Sequence, residues 1–307
     1  MRPTGRFAPS PSGYLHPGNL LCALLAWLSC RSQGGRFLLR IEDVDPGRCP
    51  RSLALQAMDD LAFLGLTWDE QPLFQSERSD VYRACCEALT RQGLVYPCFC
   101  SRAELRAAFA PNQGDVNVVY DGRCRRLPEA IVAEKLKARR PALRLAVPDE
   151  TIAFTDTHQG NFAQALKAEC GDFILRRGDG ICAYALAVVA DDAASGVTEV
   201  VRGWDILSST PRQILLQRLL GYDTPAYAHI PLLTDSQGRR LAKRDGDVSL
   251  ASLSKRFTKE EILGMLGAAC GLLPAYRPAT LDELLKAFDW AKVPKETCRL
   301  PIDLTPP

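Results

Sequence analysis

Apolar positions in this chain fall into blocks of two kinds. Residues 20–28 (LLCALLAWL) are apolar almost without a break, and 19–33 as a whole is apolar on nearly every side. That is the pattern of a helix buried all round. Residues 36–41 (RFLLRI) make a shorter apolar run of strand length, which stops abruptly at Glu42, Asp43 and Asp45. Residues 3–9 read as a strand entering a turn, and 51–64 as a second helix. Strand, turn, helix, strand is how a parallel α/β sheet begins. Ligands of such sheets bind beyond the carboxyl ends of the strands, where both the turn and the acidic cluster fall.

From 96 to 170 the alternation weakens and cysteines, prolines and arginines crowd in, as expected of an inserted module. The α/β texture returns at 181–190 (ICAYALAVVA), which reads as a fully apolar strand running into Asp191 and Asp192. A strand over 198–201 should end at Arg202. A helix over 210–220 follows, with Pro211 in its first turn. After residue 250 two short helical patterns, 259–272 and 281–290, are separated by prolines. The expected organisation is a core in two halves (1–95 and 171–240), an insertion (96–170), and a loop with a short helical region (241–307). There is no internal repeat and no low-complexity segment.

Composition narrows the function classes. With 307 residues, 47% apolar and 24% charged, the chain is an ordinary globular sequence, neither disordered nor fibrous. The net charge of +2 advertises no polyanion partner, so RNA contact would rest on local patches. Candidates are Arg123, Arg125 and Arg126, then Lys135, Lys137, Arg139 and Arg140; solvated faces are the alternative reading. The twelve cysteines are scattered through a long chain, which suits a reduced cytosolic protein better than a disulfide scaffold. Arg2 and Arg6 before the apolar stretch faintly resemble a secretory leader. Intervening Pro and Gly and the lack of a clean small-x-small site argue against one. A membrane span needs about 20 apolar residues, more than this stretch has. A cytoplasmic monomer with no membrane partner is expected.

The turn RFAPSPSGYLHPGN (6–19) is the first candidate for chemistry. A strand, a Gly-containing turn and a helix N-terminus make an anion site, and His16 stands where it can donate to a phosphate. The turn matches neither the Walker loop nor the G-x-G-x-x-G loop, and a proline-stiffened surface turn with an incidental histidine fits it equally well. Cys98-x-Cys100 and Cys124 suit a thiolate zinc site, or a set of small buried hydrophobes.

RFAPSPSGYLHPGN, followed by FLLRIEDVDPGR, resembles the N-terminus of class I glutamyl-tRNA synthetases. DFILRRGDGICAYALAVVADD (172–192), VTEVVRGWDILSSTPRQ (197–213) and RRLAKRDG (239–246) continue the likeness in order, from residue 5 to about 250. The resemblance implies a Rossmann-type parallel sheet carrying an inserted zinc-binding, acceptor-type module. It implies that Arg6, Phe7, Ala8, Pro9, Ser10, Glu42, Tyr184 and Arg202 form the glutamate pocket, with Tyr184 on the expected strand. Arg6 and Arg202 would pair with carboxylates and Glu42 would hold the ammonium. The related glutaminyl enzymes have Pro and Glu where Ala8 and Ser10 stand, which favours glutamate.

The resemblance also implies that His16, Gly18, Asn19 and Lys243 hold ATP and its Mg²⁺, with His16 and Lys243 catalytic. Two departures stand out: the HIGH signature is here His-Pro-Gly-Asn, and the KMSKS loop has Arg240 for its first Lys and Ala242 for its Ser, while Lys243 is kept. One structural Zn²⁺ on Cys98, Cys100, Cys124 and Tyr120 is implied by the YDGRC pattern. Only about sixty residues follow the KMSKS-like loop, so no anticodon-binding domain is expected. The shortened form with YDGRC resembles the glutamyl-queuosine tRNA(Asp) synthetases. These are ligases that activate L-glutamate without tRNA and attach it to queuosine in the anticodon loop of tRNA(Asp). A shortened enzyme charging an acceptor end, a non-catalytic RNA-binding paralogue and a different HIGH-type nucleotidyltransferase are the alternatives.

Overall fold

The computed structural model describes residues 2–101, 104, 119–235, 237–238 and 249–302. Strand β1 (Thr4–Phe7) runs into the Pro-rich turn, and α1 (Pro17–Ser32) follows. The start of α1 is set by His16, an extended residue whose Nδ1 accepts the Gly18 N–H (3.1 Å) while Asn19 Oδ1 accepts the His16 N–H (3.3 Å). Pro17 fits the first turn, where an N–H is not needed. Leu20, Leu21, Leu24, Leu25 and Leu28 are fully buried, as the all-round apolar pattern requires.

β2 (Arg36–Ile41) pairs parallel with β1 on one side and with β3 (Leu73–Phe74) on the other, after α2 (Arg51–Phe63). α3 (Ser79–Arg91) leads to β4 (Val95–Cys98). β4, β5 (Ala142–Leu145) and β8 (Ile174–Arg176) form an antiparallel sheet, and β6 (Thr151–Asp156) and β7 (Gly160–Ala165) a hairpin. β9 (Glu199–Gly203) pairs parallel with β10 (Ala226–Ile230), and the Thr198 N–H bonds to Thr4 O (2.9 Å), which sets β9 beside β1. The strand order β3-β2-β1-β9-β10 reverses direction of growth between β1 and β9. Such a switch point opens a crevice at the carboxyl ends.

Residues 181–190 do not form the expected strand. A single bridge at Cys182 is followed by a helix, Tyr184–Ala194. Its run Ala185–Asp192 is buried throughout, and a fully apolar run carries no period that separates buried helix from buried strand. Alanine content favours the helix. Tyr184 is therefore the first residue of a helix. The helices Thr210–Leu220, Lys259–Ala269 and Leu281–Ala287 stand where the pattern puts them, the last two shorter. β11 (Leu232–Thr234) pairs parallel with β12 (Thr297–Arg299), a strand the sequence pattern does not reveal.

Two large apolar clusters hold these layers. One joins α1 to the C-terminal helices through Ile262, Leu263, Leu266 and Leu284. The other joins Ile152 and Leu166, from within 96–170, to Leu186, Val200 and Tyr227. Among the described residues no helix is long and apolar enough to cross a membrane.

Candidate active site

The crevice at the switch point is a cavity of about 600 Å³, in the range of small-molecule sites. The turn after β1 gives it Phe7, Ala8, Pro9 and Ser10, and the start of α1 gives His16, Gly18 and Asn19. The end of β2 gives Glu42, the helix after Cys182 gives Tyr184, and the end of β9 gives Arg202 and then Asp205. Every residue expected to hold glutamate or ATP thus lines one space, apart from two. Lys243, with Arg240 and Ala242, lies outside the described residues. Arg6 is buried and is not among the lining residues.

Arg6 belongs to a charge network beside the cavity. Its Nε donates to Asp192 Oδ1 (3.2 Å) and its Nη1 to Val201 O (3.3 Å). Arg40 Nη1 donates to the same Asp192 oxygen (2.5 Å), and its Nη2 to Glu42 Oε1 (3.3 Å). Burial opposes a charge on Asp192, but Arg40 and Arg6 outweigh it and hold its carboxyl below the usual range. Glu42 goes the other way: burial pushes it up, and Arg40 and Arg6 offset this only in part. Ser10 Oγ donates to Glu42 Oε2 (3.2 Å). Arg6 and Glu42 are linked through Asp192 and Arg40.

Arg202 is 5% exposed, and its hydrogen bonds go to neutral groups. They are His229 Nε2 (3.0 Å), Gln213 Oε1 (2.7 Å) and Thr210 Oγ1 (2.7 Å). A buried guanidinium hydrogen-bonded only to neutral groups is ready for an anion. His229 Nδ1 in turn meets Asp156 Oδ2 at 2.6 Å.

The opening turn offers less free backbone than its sequence suggests. The Gly18 N–H is bound by His16 and Pro17 has none. A phosphate here would meet the His16 ring and the Asn19 amide instead of a row of helix N–H groups. Because Nδ1 of neutral His16 accepts, its proton is on Nε2, the form that donates.

The cysteine cluster lies at the end of β4. Sulfurs of Cys98, Cys100 and Cys124 lie within 4.8 Å of one another. Cys100 and Cys124 are 3.6 Å apart, and the Tyr120 hydroxyl is 3.6 Å from Cys98 Sγ and 3.7 Å from Cys100 Sγ. A tetrahedral zinc with Zn–S of about 2.3 Å needs ligand–ligand edges of about 3.8 Å, so these four atoms fit one ion. Tyr120 is pinned: its hydroxyl accepts the Cys124 N–H (3.0 Å), and its backbone bridges Gly171. A Cβ at Gly171 would fall 3.0 Å from the Tyr120 nitrogen, and its φ of 65° suits glycine alone. Arg144 stacks over the Tyr120 ring (3.8 Å) and donates from Nε to Cys98 Sγ (3.2 Å). Burial opposes ionisation of Cys98, yet the hydrogen bonds of Arg144 and Tyr120 leave its thiol below the ordinary value.

Sequence reasoning missed Asp192, Arg40, Asp156, His229, Thr210 and Gln213. Asp191 and Asp192 were visible only as the end of an apolar run, and His229 only as one of three histidines. Of the basic residues, Arg123 pairs with Asp121 (2.7 Å) and Lys137 with Glu134 (2.9 Å). A second cavity, about 250 Å³, lies around Tyr82, Arg176 and Cys182 and contains none of the expected residues.

Comparison with known proteins places this geometry. Residues 4–271 match the family described as tRNA synthetases class I (E and Q), catalytic domain. A protein of Symbiobacterium thermophilum named glutamyl-Q tRNA(Asp) synthetase is 48% identical, over 97% of this chain and 96% of its own length. One of the same name from Nitratidesulfovibrio vulgaris is 44% identical, over 98% and 96%. Among solved structures, a glutamate tRNA ligase of Elizabethkingia meningosepticum, in complex with its amino acid, superposes with a TM-score of 0.84 at 30% identity. The match covers 98% of this chain and 67% of that one.

Proposed function

Because the chain belongs to the class I tRNA synthetases of the glutamyl and glutaminyl type, we propose that its switch-point cavity makes glutamyl-adenylate and delivers glutamate to queuosine in the anticodon loop of tRNA(Asp). The protein is a ligase of the aminoacyl-tRNA synthetase kind. The observation that carries the reading is convergence: Ser10, Glu42, Tyr184 and Arg202 share one cavity with His16, Gly18 and Asn19. A substrate with two carboxylates and one ammonium wants fixed cations and one anion. Arg202, which pairs with no carboxylate among the described residues, takes a carboxylate of glutamate. Glu42, held by Arg40 and Ser10, takes the ammonium, and Tyr184 adds a hydroxyl. Arg6 acts from behind the lining, by its charge and by holding Asp192.

In the first step an α-carboxylate oxygen of glutamate attacks the α-phosphorus of ATP, and pyrophosphate leaves. An ionised carboxylate needs no general base, so positioning and charge stabilisation do the work. His16 donates from Nε2 to the phosphates, Asn19 supports it, and Lys243 holds the departing pyrophosphate with the Mg²⁺ that ATP brings. In the second step a hydroxyl of the RNA attacks the adenylate carbonyl and AMP leaves.

Cys98, Cys100, Cys124 and Tyr120 would hold one structural zinc. Three thiolates around Zn²⁺ carry a net single negative charge, and Arg144 beside Cys98 offsets it. The chain works in the cytoplasm, as a monomer.

The test is glutamate-dependent exchange of pyrophosphate into ATP with no RNA present. Exchange with glutamate and none with glutamine is expected, and Lys243→Ala should abolish it. Exchange only when tRNA is added would contradict the tRNA-independent activation, and full activity in Lys243→Ala would remove that residue from the site.

A further inference from the structure

One wall of the cavity depends on a residue far from it in sequence. Arg202 has five N–H donors, and three are engaged by His229, Gln213 and Thr210. The remaining two are those available to a ligand. The acceptors therefore set the plane of the guanidinium, and with it the direction in which a carboxylate can be gripped. Gln213 Oε1 is an unconditional acceptor; Thr210 Oγ1, on the same helix, accepts from Arg202 and also lies 3.2 Å from His229 Nε2, to which its hydroxyl donates when Nε2 is bare. His229 is conditional: Nε2 accepts only while the ring proton sits on Nδ1. Asp156, at the end of β6, supplies that condition. Its Oδ2 lies 2.6 Å from Nδ1, and both its oxygens accept the backbone N–H of His229 (3.1 Å each). The N–H groups of His158 (3.0 Å) and Gln159 (2.8 Å) bond to Oδ1, so the carboxylate cannot swing away. The side chains of Asp156 and His229 are both fully buried.

We propose that Asp156 and His229 are positioning residues for glutamate: Asp156 fixes the Nδ1–H tautomer of His229, and His229 Nε2 then aims Arg202 at the substrate carboxylate. This rests on the reading that Arg202 binds glutamate. It makes the β6–β7 hairpin a support of the amino-acid pocket. The charged groups acting on the His229 ring are Asp156 from β6, Arg202 from β9 and Arg6 from β1, and Tyr227 stacks on it (6.1 Å). Burial and the two arginines oppose a positive ring and outweigh Asp156, so His229 stays neutral below the usual imidazole range. Were it protonated, both ring nitrogens would be donors and Nε2 would face Arg202 with a proton.

The chain has three histidines, so ¹⁵N-histidine spectra of the unmodified protein can resolve each. His229 should show a protonated Nδ1 and a bare Nε2 at pH 7 and keep them below the ordinary imidazole pKa of about 6.5. An Nε2–H tautomer or an imidazolium at pH 7 overturns the proposal. Exchange kinetics give the second test. His229→Leu, which removes the acceptor, should raise the glutamate KM by about thirtyfold and leave the ATP KM within about twofold. His229→Gln, which keeps an acceptor, should recover much of the loss. Equal damage to both KM values, in both variants, would make His229 structural only. If Arg202→Ala leaves the glutamate KM unchanged, the underlying reading fails; a large rise there with none in His229→Leu sinks the positioning role alone.

Discussion

The switch-point cavity and the cysteine cluster face one problem, the burial of polar groups, and meet it in different ways. Beside the cavity, Asp192 is shared by Arg6 and Arg40, and Arg40 also reaches Glu42. That network is anchored on Asp192 and reaches the cavity lining at Glu42. Arg202 stands apart from it: among the described residues its hydrogen bonds go to neutral groups only. At the end of β4 three sulfurs within 4.8 Å of one another and a phenol oxygen make a donor set that suits a cation. Asp192, matched by two arginines, maintains the fold; Arg202, which pairs with no carboxylate among the described residues, and Glu42, which Arg40 and Ser10 hold at the cavity wall, face the cavity. Sequence type alone does not separate the two, since Arg6, Arg40 and Arg202 are all buried arginines on parallel strands.

Removing one residue of each kind should separate binding from stability most strongly. Arg202→Ala should lower glutamate-dependent exchange by a factor on the order of a thousand, about 4 kcal/mol, with a much smaller change in the unfolding midpoint. Asp192→Asn should do the reverse in kind. It leaves Arg6 and Arg40 without their shared carboxylate and should cost about 3 kcal/mol of stability in denaturant unfolding. If Asp192→Asn were silent in stability, the distinction between matched and unmatched charge would fail. Chelation of the zinc, or Cys124→Ser, should come next. Transfer to RNA should drop about tenfold while exchange changes by less than about threefold, because the cluster is separate from the cavity lining. Metal analysis should return one zinc per chain before treatment; none would refute the site.

The smallest effect is in pH. His229 and Asp156 have folded pKa values below their ordinary ones, as does Asp192. The unfolded chain therefore binds protons that the native one refuses. The His229 contribution is complete above about pH 6.5 and is lost as pH falls from there toward its lowered value. The aspartates follow as pH drops below about 4. Glu42, pushed up, acts in the opposite direction and is relieved by acid. The net expectation is a loss on the order of 1 kcal/mol between pH 7 and 5, which should shrink in His229→Gln. A midpoint that rose on acidification would contradict it.

Much of this was legible in the chain. The buried helix α1, strand β2 and the helix from Thr210 follow from apolar pattern and proline placement. The cavity residues follow from co-linear motifs. The stretch 181–190 misled, because an unbroken apolar run fits a buried helix as well as a buried strand. β12 went unseen because its three residues, Thr297–Arg299, gain strand character only by pairing with β11. The support of Arg202 was invisible for another reason. Asp156, His229 and Gln213 are brought together by the fold from three separate elements, and no local spacing encodes that. The turn at His16 was half legible: its place was clear, but not that the His16 ring binds the Gly18 N–H while Asn19 binds that of His16.

The most direct test of the account uses labelled glutamate, ATP and bulk tRNA from two strains, one normal and one unable to make queuosine. Label on RNA from the normal strain alone is expected. Equal label on both would show that an acceptor end receives the glutamate and would contradict the proposed target.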